Sequence, residues 1–304
     1  MRVIITGATG FIGKALCREL HANGYEVIAL TRNAEKGREV LGDSAVCVEW
    51  DARTPAGWQS YVEGAKAIIN LAGANVGDRR WSEEYKKQIL NSRLNAGQAV
   101  REAVRLATQK PEVLLQASAS GFYGSRGDAI LTEQSPKGDG FLAEVVKAWE
   151  DSVREVEDLG VRLAYLRTGV VLGRGEGMLD KLVLPFQMFV GGPPGDGKQW
   201  LSWIHIADAV ALIRYLLETP DLHGRFNLTS PHPVQMAEFT RQLGKVLKRP
   251  SWLPVPAFAI KLLFQQMGEE TVLASQRVLP ERIAKTGFRF QFPDLLPALD
   301  DLLS

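Results

Sequence analysis

Short apolar runs alternate with longer amphipathic stretches over the first 170 residues of the chain. The run at residues 3–5, Val-Ile-Ile, is too brief for a helix and is typical of a buried parallel strand. We predict strands at residues 3–5, 26–30, 45–50, 67–71, 113–117 and 162–167, and helices at 11–22, 82–107 and 141–159. Strands that alternate with helices at this spacing predict an α/β fold with a doubly wound parallel sheet.

The pattern changes at about residue 173, where loops rich in proline and glycine begin to separate short helical stretches. Residues 191–197, Gly-Gly-Pro-Pro-Gly-Asp-Gly, have the composition of a loop. We predict a first domain at residues 1–172 and a smaller, mostly helical C-terminal lobe at 173–304. Returning strands near 200–204 and 226–228 would let parts of 200–230 complete the sheet and helices of the first domain.

The composition is that of an ordinary globular protein, with 45% hydrophobic and 23% charged residues among 304. The formal net charge of +1 gives no electrostatic case for nucleic acid or a membrane surface as a partner. No charged-then-apolar leader is recognisable, and two cysteines suggest reduced thiols, so we expect a cytoplasmic protein. The four histidines show no ligand spacing, so we predict no metal.

Glycines at positions 7, 10 and 13 follow the first strand and open the first helix. In a Rossmann-type turn, Gly7 turns the chain, Gly10 lets the backbone approach a pyrophosphate, and Gly13 lets the helix pack closely on the strand. The diphosphate would sit at the helix N-terminus, where free N–H groups and the helix dipole favour an anion. We therefore predict a dinucleotide site whose turn also includes Thr9, Phe11 and Ile12.

Three further strand ends are predicted to hold the rest of the dinucleotide. Thr31 and Arg32 end the second strand, and an arginine there accommodates the 2′-phosphate of NADP. A hydrogen bond to a charged group is worth about 1.5–3 kcal/mol, which favours NADP roughly ten- to a hundredfold. Asp51 is a plausible partner for the adenine amino group. The small residues of Leu71-Ala72-Gly73 would let the nicotinamide ribose lie against backbone.

Several segments together resemble the extended short-chain dehydrogenases/reductases, in their nucleotide-sugar epimerase/dehydratase branch. These are TGATGFIG at residues 6–13, NLAG at 70–73, FYG at 122–124, GDGKQ at 195–199 and IHIAD at 204–208. More narrowly, RWS at 80–82, SR at 92–93, LRTGVVL at 166–172 and GFRF at 287–290 are similar to the YfcH-type atypical epimerase subgroup. The resemblance implies a Rossmann domain with NADP(H) and a C-terminal substrate lobe, but no settled reaction.

The wider family uses a tyrosine and a lysine one turn apart on the helix after the fifth strand, with a serine at the end of that strand. Ser118 fits the serine position if its segment carries one extra residue, with Ser120 as the fallback. The helix places either Leu142 and Val146 or Phe141 and Val145 where the pair belongs. The loss of a positioned general acid typically costs about 10²–10⁴ in rate, so an unmodified family mechanism is not expected.

Three replacements for the missing pair can be named. Tyr123 could donate the proton, although relatives carry a tyrosine there beside the catalytic one, which favours a structural role. Glu144 and Lys147, three apart on a helix, could reach a substrate or form a solvated surface pair. Arg93 stands where the family often has an asparagine and could clamp an anionic or carbonyl group. We select Ser118, Tyr123 and Arg93 as catalytic candidates, with Ser118 and Arg93 also contacting the cofactor.

A second departure concerns the substrate. Leu201 occupies the position of the arginine with which sugar-nucleotide enzymes grip the diphosphate, and Trp200 and Trp203 flank it. We therefore expect a small-molecule substrate that is not a nucleotide sugar, with the two tryptophans contacting it or packing in the lobe. Two hypotheses follow. One is an NADP(H)-dependent oxidoreductase or epimerase of atypical mechanism, and the other a non-catalytic NADP(H)-binding regulator or redox sensor; either could be a homodimer.

Overall fold

The computed structural model describes all residues from Met1 to Ser304. The strands are β1 Arg2–Thr6, β2 Glu26–Thr31, β3 Val46–Glu49, β4 Ala67–Asn70, β5 Val113–Ala119, β6 Ile130–Leu131, β7 Arg162–Thr168, β8 Val170–Gly173, β9 Trp200–Leu201, β10 Trp203–His205, β11 Gly224–Leu228, β12 Val234–Gln235 and β13 Arg277–Val278. The helices are α1 Phe11–Ala22, α2 Ala34–Leu41, α3 Glu83–Leu106, α4 Phe141–Asp151, α5 Gly177–Gln187, α6 Ile206–Glu218, α7 Met236–Leu247, α8 Ala257–Met267, α9 Glu281–Ala284 and α10 Leu295–Leu303.

Seven of the strands form one parallel sheet in the order β11-β7-β5-β4-β1-β2-β3. The register places Ile4 of β1 between Ile28 of β2 and Ile68 of β4. The order reverses at β1, since the chain moves outward on one side to β2 and β3 and then returns to β4 on the other. This arrangement confirms the predicted doubly wound sheet and puts its ligand crevice at the carboxyl ends of β1 and β4.

Both faces of the central strands β1, β4 and β5 are buried, which explains why these strands are nearly continuous apolar runs. Val3 and Ile5 point to the face covered by α1 and α6, whereas Ile4 points to the face covered by α3. Trp58 is fully buried on the α3 side. Alternate side chains of β1 therefore pack into two separate apolar layers, one on each face of the sheet.

Polar caps set several helix boundaries. The side chain of Ser82 accepts a hydrogen bond from the Tyr85 N–H at 3.1 Å, which starts α3 one residue after the predicted position. Asn33 caps α2 in the same way through the Lys36 N–H, and that helix was not among the predictions. The predicted helix 141–159 was too long, because α4 ends at Asp151 and a 3₁₀ segment, Arg154–Leu159, follows.

The C-terminal part of the chain contributes to two units. Strand β11 pairs with β7, with Phe226 opposite Leu166, and α6 packs on the main sheet. A third apolar cluster, around Phe186, Trp203 and Phe239, is built by β8, β9, β10, α5, α7 and α10. Trp203 is fully buried there. Of the two roles considered for it, substrate contact and packing in the lobe, the structure favours packing.

The lobe is joined to the first domain at the glycine turn and at α6. The Phe11 ring lies so close to Gly173 that a Cβ on that glycine would come within 2.4 Å of it. The Asp208 carboxylate accepts hydrogen bonds from the N–H groups of Gln291 and Phe292 at 2.7 and 2.9 Å, which ties the segment before α10 to α6. No helix is long and apolar enough to span a membrane.

Candidate functional site

A buried chain of hydrogen bonds ties together the ends of β1, β4 and β5 at the crevice. The hydroxyl of Thr6 donates to Asn70 Oδ1 at 2.5 Å, and Asn70 Nδ2 donates to Gln116 Oε1 at 2.8 Å. The Thr6 oxygen also accepts from the N–H groups of Leu71 and Ala72, both at 3.1 Å. These bonds fix the loop after β4 against the end of β1.

The glycine turn is closely packed and leaves its helix end without a cap. Gly7 has φ of +66°, and a Cβ there would lie 2.9 Å from the carbonyl carbon of Leu71. A Cβ on Gly13 would lie 2.3 Å from the Gly7 oxygen. Gly10 precedes α1 and offers no side-chain cap, so the first-turn N–H groups remain available to an anion. The turn thus fits a dinucleotide diphosphate.

The remaining predicted cofactor residues follow the same edge of the sheet. Thr9, Phe11 and Ile12 are half-buried at the start of α1, and Leu71, Ala72 and Gly73 leave β4 beside them. Leu71 and Ala72 are half-buried and Gly73 is exposed. The structure therefore brings the residues of both loops together at one crevice.

Arg32 borders a surface pocket of about 390 Å³ that it shares with Glu49, Trp50 and Asp51. Thr31 precedes it at the end of β2, where its hydroxyl donates to the Asn33 carbonyl at 3.2 Å. Burial raises the pKa of Asp51, but hydrogen bonds from Thr54 and Arg53 outweigh it and hold the pKa below its ordinary value. Arg32 and an ionised Asp51 thus line one pocket at the carboxyl ends of β2 and β3.

A larger depression of about 670 Å³ lies elsewhere, at the amino-terminal edge of β2 and β3. It contains none of the predicted site residues. The crevice at the carboxyl edge remains the candidate site.

Arg93 of α3 reaches the end of β4 as a cation without an acidic partner. Its Nη1 donates to the carbonyls of Ala74 and Ile89 at 3.0 and 2.9 Å, and its guanidinium stacks 4.7 Å from the ring centroid of Trp149. A Cβ on Gly73 would lie 3.1 Å from its Cζ. Burial lowers the pKa of Arg93 to about 10, so it stays protonated at neutral pH. A desolvated cation beside the crevice attracts an anion or a carbonyl oxygen.

Ser118 is buried, and its hydroxyl donates to Glu150 Oε1 at 2.7 Å. The same carboxylate receives two bonds from Arg167, at 2.8 and 3.0 Å. Burial alone would lower the pKa of Arg167, but Glu150 raises it above its ordinary value. Because its proton is engaged, Ser118 can accept a hydrogen bond from a ligand but not donate one without breaking this contact.

Tyr123 has no exposed surface. Its hydroxyl donates to Asn227 Oδ1 at 2.7 Å and accepts from Arg167 at 3.2 Å. Burial raises the pKa of Tyr123, and the opposing effects of Arg167 and Asn227 are smaller. A proton donor of this family type needs access to substrate and a lowered pKa, so this environment favours the structural role.

The face of α4 toward β5 is apolar at both family positions. A Cβ on Gly121 would lie 3.4 Å from Leu142 Cβ and 3.9 Å from Val146, which places these two side chains at the end of β5. Glu144 and Lys147 do not meet, since Glu144 pairs with Lys137 and Lys147 with Asp151 at the surface. The structure therefore supplies no acid/base pair from this helix.

The buried Glu150–Arg167 pair is a feature that the sequence predictions did not include. A signal was present, because Arg167 directly follows the apolar residues 163–166 of β7 and a charge buried at the end of such a run requires a partner. The partner lies on α4, so strand periodicity alone does not identify it.

The substrate side of the crevice has no cation at the position of the diphosphate-binding arginine. Leu201 is buried there. Trp200 donates from Nε1 to Asp128 at 2.7 Å, and Arg277 stacks on its ring at 4.3 Å. His205 is buried and its Nδ1 accepts from the Ala207 N–H, which is a packing arrangement. No three acidic, histidine or cysteine side chains cluster as metal ligands; the absence of a metal stays a prediction.

The sheet, the glycine turn and the crevice define the short-chain dehydrogenase/reductase type of Rossmann protein. Residues 3–228 match the model of the NAD dependent epimerase/dehydratase family, to which the chain belongs, and 255–302 match a domain of unknown function, DUF1731. These findings confirm the resemblance seen in the sequence.

Two curated relatives and one solved structure match the chain over nearly its whole length. The chain is 40% identical over 304 residues to the epimerase family protein SDR39U1 homolog, chloroplastic, of Arabidopsis thaliana, covering 98% of this chain and 86% of that protein. It is 39% identical to the epimerase family protein YfhF of Bacillus subtilis, covering 100% and 98%. The crystal structure of human SDR39U1 isoform 2 with NADPH superposes with a TM-score of 0.90 at 34% identity, covering 100% and 99%.

Proposed function

We propose that the chain binds NADP(H) and uses it in an oxidoreduction of a carbonyl or hydroxyl group on a small molecule. Gly7, Gly10 and Gly13 would hold the diphosphate and Arg32 the 2′-phosphate. The similar human protein was crystallised with NADPH, which supports this choice of cofactor. When bound, NADP(H) supplies or takes up a hydride.

The reaction proposal rests on the position and the unpaired charge of Arg93. Transfer of a hydride to a carbonyl carbon places negative charge on the carbonyl oxygen, and that oxygen then takes a proton from solvent. A guanidinium that is desolvated, charged and without a carboxylate partner stabilises such an oxygen without prior reorganisation. Its stack on Trp149 and its two backbone bonds hold it at the end of β4. In this proposal Arg93 stabilises the negatively charged oxygen, which is one of the two tasks of the missing tyrosine; the other task is to donate a proton.

The substrate in this proposal is not a nucleotide sugar. Leu201 is buried where an arginine would grip the diphosphate, and the family positions on α4 are either Leu142 and Val146 or Phe141 and Val145. These side chains favour an uncharged, largely apolar molecule. A cytoplasmic location remains our prediction, and both cysteines are free, as reduced thiols would be.

A non-catalytic NADP(H)-binding regulator is the second candidate, because one specific observation favours it. Ser118 is bonded to Glu150 and Tyr123 is fully buried, so neither presents a free acid to the crevice. This candidate requires a partner or a change in activity that depends on the redox state of the cofactor.

The test is a screen of apolar aldehydes and ketones for NADPH oxidation, followed at the nicotinamide absorbance, with Arg93→Met and Arg93→Lys beside the wild type. Loss of one transition-state donor costs about 10²–10³ in turnover, so we expect that loss in Arg93→Met and partial retention in Arg93→Lys. Unchanged turnover in Arg93→Met would refute the assigned role. No turnover with any carbonyl, together with NADPH-dependent capture of a protein partner, would favour the regulator.

A further inference from the structure

Two segments of the lobe carry most of the exposed apolar side chains of the protein. Of sixteen large hydrophobic residues exposed on the whole chain, eleven lie in residues 184–190 and 252–264. Phe258 and Leu262 of α8 expose 73% and 76% of their surface, and Trp252 exposes 66%. A concentration of exposed apolar side chains of this kind marks a site of interaction with a protein or a membrane.

The two segments form one surface, which we call the apolar lobe surface (residues 184–190 and 252–264). The N–H groups of Trp252 and Leu253 donate to the Gly191 carbonyl at 3.1 and 3.2 Å. The indole of Trp252 donates to the Phe189 carbonyl at 3.3 Å. The two segments therefore lie side by side.

The two segments around this surface carry only basic charges, and acidic residues stand at their ends, at Asp180, Asp196, Glu238, Glu269 and Glu270. Residues 181–195 and 239–268 contain six lysines and arginines and no aspartate or glutamate, which leaves thirty basic against thirty-five acidic residues in the rest of the chain. The Arg249 guanidinium stacks 4.6 Å from the Phe189 ring centroid, so a cation lies within the apolar side chains themselves. Arg241 and Lys261 pair with Glu238 and Glu269, and the other four have no carboxylate partner. The net charge of +1 for the whole chain does not reveal this local excess of basic residues.

We propose that the apolar lobe surface docks on a membrane surface that contains anionic lipids. Exposed tryptophan, phenylalanine and leucine side chains with surrounding lysine and arginine are the combination that enters the interface between headgroups and acyl chains. Docking requires no spanning helix. A second copy of the chain would place its own cations against these, so like charges oppose that occupant.

Residues that flank the apolar lobe surface contact the loop after β4 and the start of α4. Lys181 of α5 donates from Nζ to the Gly77 carbonyl, at 2.8 Å, in the loop that follows β4. Beyond α8, the Glu270 carboxylate accepts from the N–H groups of Phe141 and Leu142 at 3.0 and 2.8 Å. Docking would therefore bring the crevice next to the lipid.

The experiment measures co-sedimentation of the full chain, with NADPH present, on phosphatidylcholine vesicles with and without phosphatidylglycerol. We expect binding only with phosphatidylglycerol and weakening in high salt. Trp252 is the one exposed tryptophan among seven, so its emission should shift to the blue on binding, and Trp252→Phe should abolish the shift.

Variants separate the apolar from the charged contribution. Phe258→Ser with Leu262→Ser should weaken vesicle binding more than tenfold, and Lys245→Gln with Lys248→Asn about 25-fold. Val40→Ser, an exposed apolar position on α2, should leave binding unchanged, and circular dichroism checks that each variant folds. No vesicle binding, or binding that ignores phosphatidylglycerol, would overturn the proposal. So would a dimer in light scattering that Phe258→Ser with Leu262→Ser dissociates.

Discussion

The two sides of the crevice are built on different principles. On the side of α1 and β4, small residues let the backbone approach the cofactor closely. The anion site there consists of backbone N–H groups at the start of α1, which depend on the glycines and not on other side chains. On the side of α4, side chains decide the chemistry, and Leu142 and Val146 have no titratable group. The cofactor side can therefore be kept while the catalytic side diverges, because the two depend on different parts of the chain.

Removal of one partner of the buried Glu150–Arg167 pair tests how α4 is fixed to the sheet, and it has the largest expected effect. Glu150→Ala would leave the guanidinium of Arg167 buried and unpaired, so we expect the free energy of unfolding to fall by about 3–5 kcal/mol. Urea denaturation followed by circular dichroism measures it. The matched surface change, Asp151→Ala, removes the exposed partner of Lys147 and should cost at most about 1 kcal/mol. Equal losses for the two variants would contradict the buried network.

Arg32→Ala tests the cofactor side without touching the α4 side. We expect NADPH affinity to fall ten- to a hundredfold, about 1.5–3 kcal/mol, while NADH affinity stays the same. Calorimetric titration gives both constants. Arg53→Ala is the control, since Arg53 is exposed in the neighbouring loop and outside the pocket that Arg32 lines. A similar loss for NADPH and NADH would mean that Arg32 does not recognise the 2′-phosphate.

Tyr123→Phe distinguishes a structural hydroxyl from a proton donor. The change leaves Asn227 and Arg167 each without one partner, so we expect a loss of about 1–3 kcal/mol in unfolding free energy. NADPH affinity and turnover should change little. Tyr61→Phe, at a half-buried tyrosine that stacks on Arg2 of β1, serves as the control. A collapse of turnover with normal stability would restore Tyr123 as the catalytic acid.

The glycine turn and the sheet were predictable because their signals are local. Three glycines at fixed spacing, a β-branched strand before them and a helix after them lie within residues 3–22. Ser82 likewise marks the start of α3 by a bond that spans three residues. Such features require no knowledge of distant parts of the chain.

Pairings between distant elements were not predictable in this way. Arg167 finds Glu150 on another element, and Arg93 meets Gly73 and Trp149 from two further ones. The apolar lobe surface joins residues more than sixty positions apart. The basic residues around it could not be inferred from the net charge of the whole chain. For α4, hydrophobic periodicity ran on past Asp151 and did not signal the change to a 3₁₀ segment.

A calorimetric titration of the wild-type chain with NADPH, NADP⁺, NADH and NAD⁺ tests the central claim most directly. The intact glycine turn and Arg32 predict that NADPH and NADP⁺ bind, and that NADH and NAD⁺ bind at least about tenfold more weakly. Binding of none of the four would contradict the account, because the crevice between β1 and β4 would then be a scaffold without a cofactor.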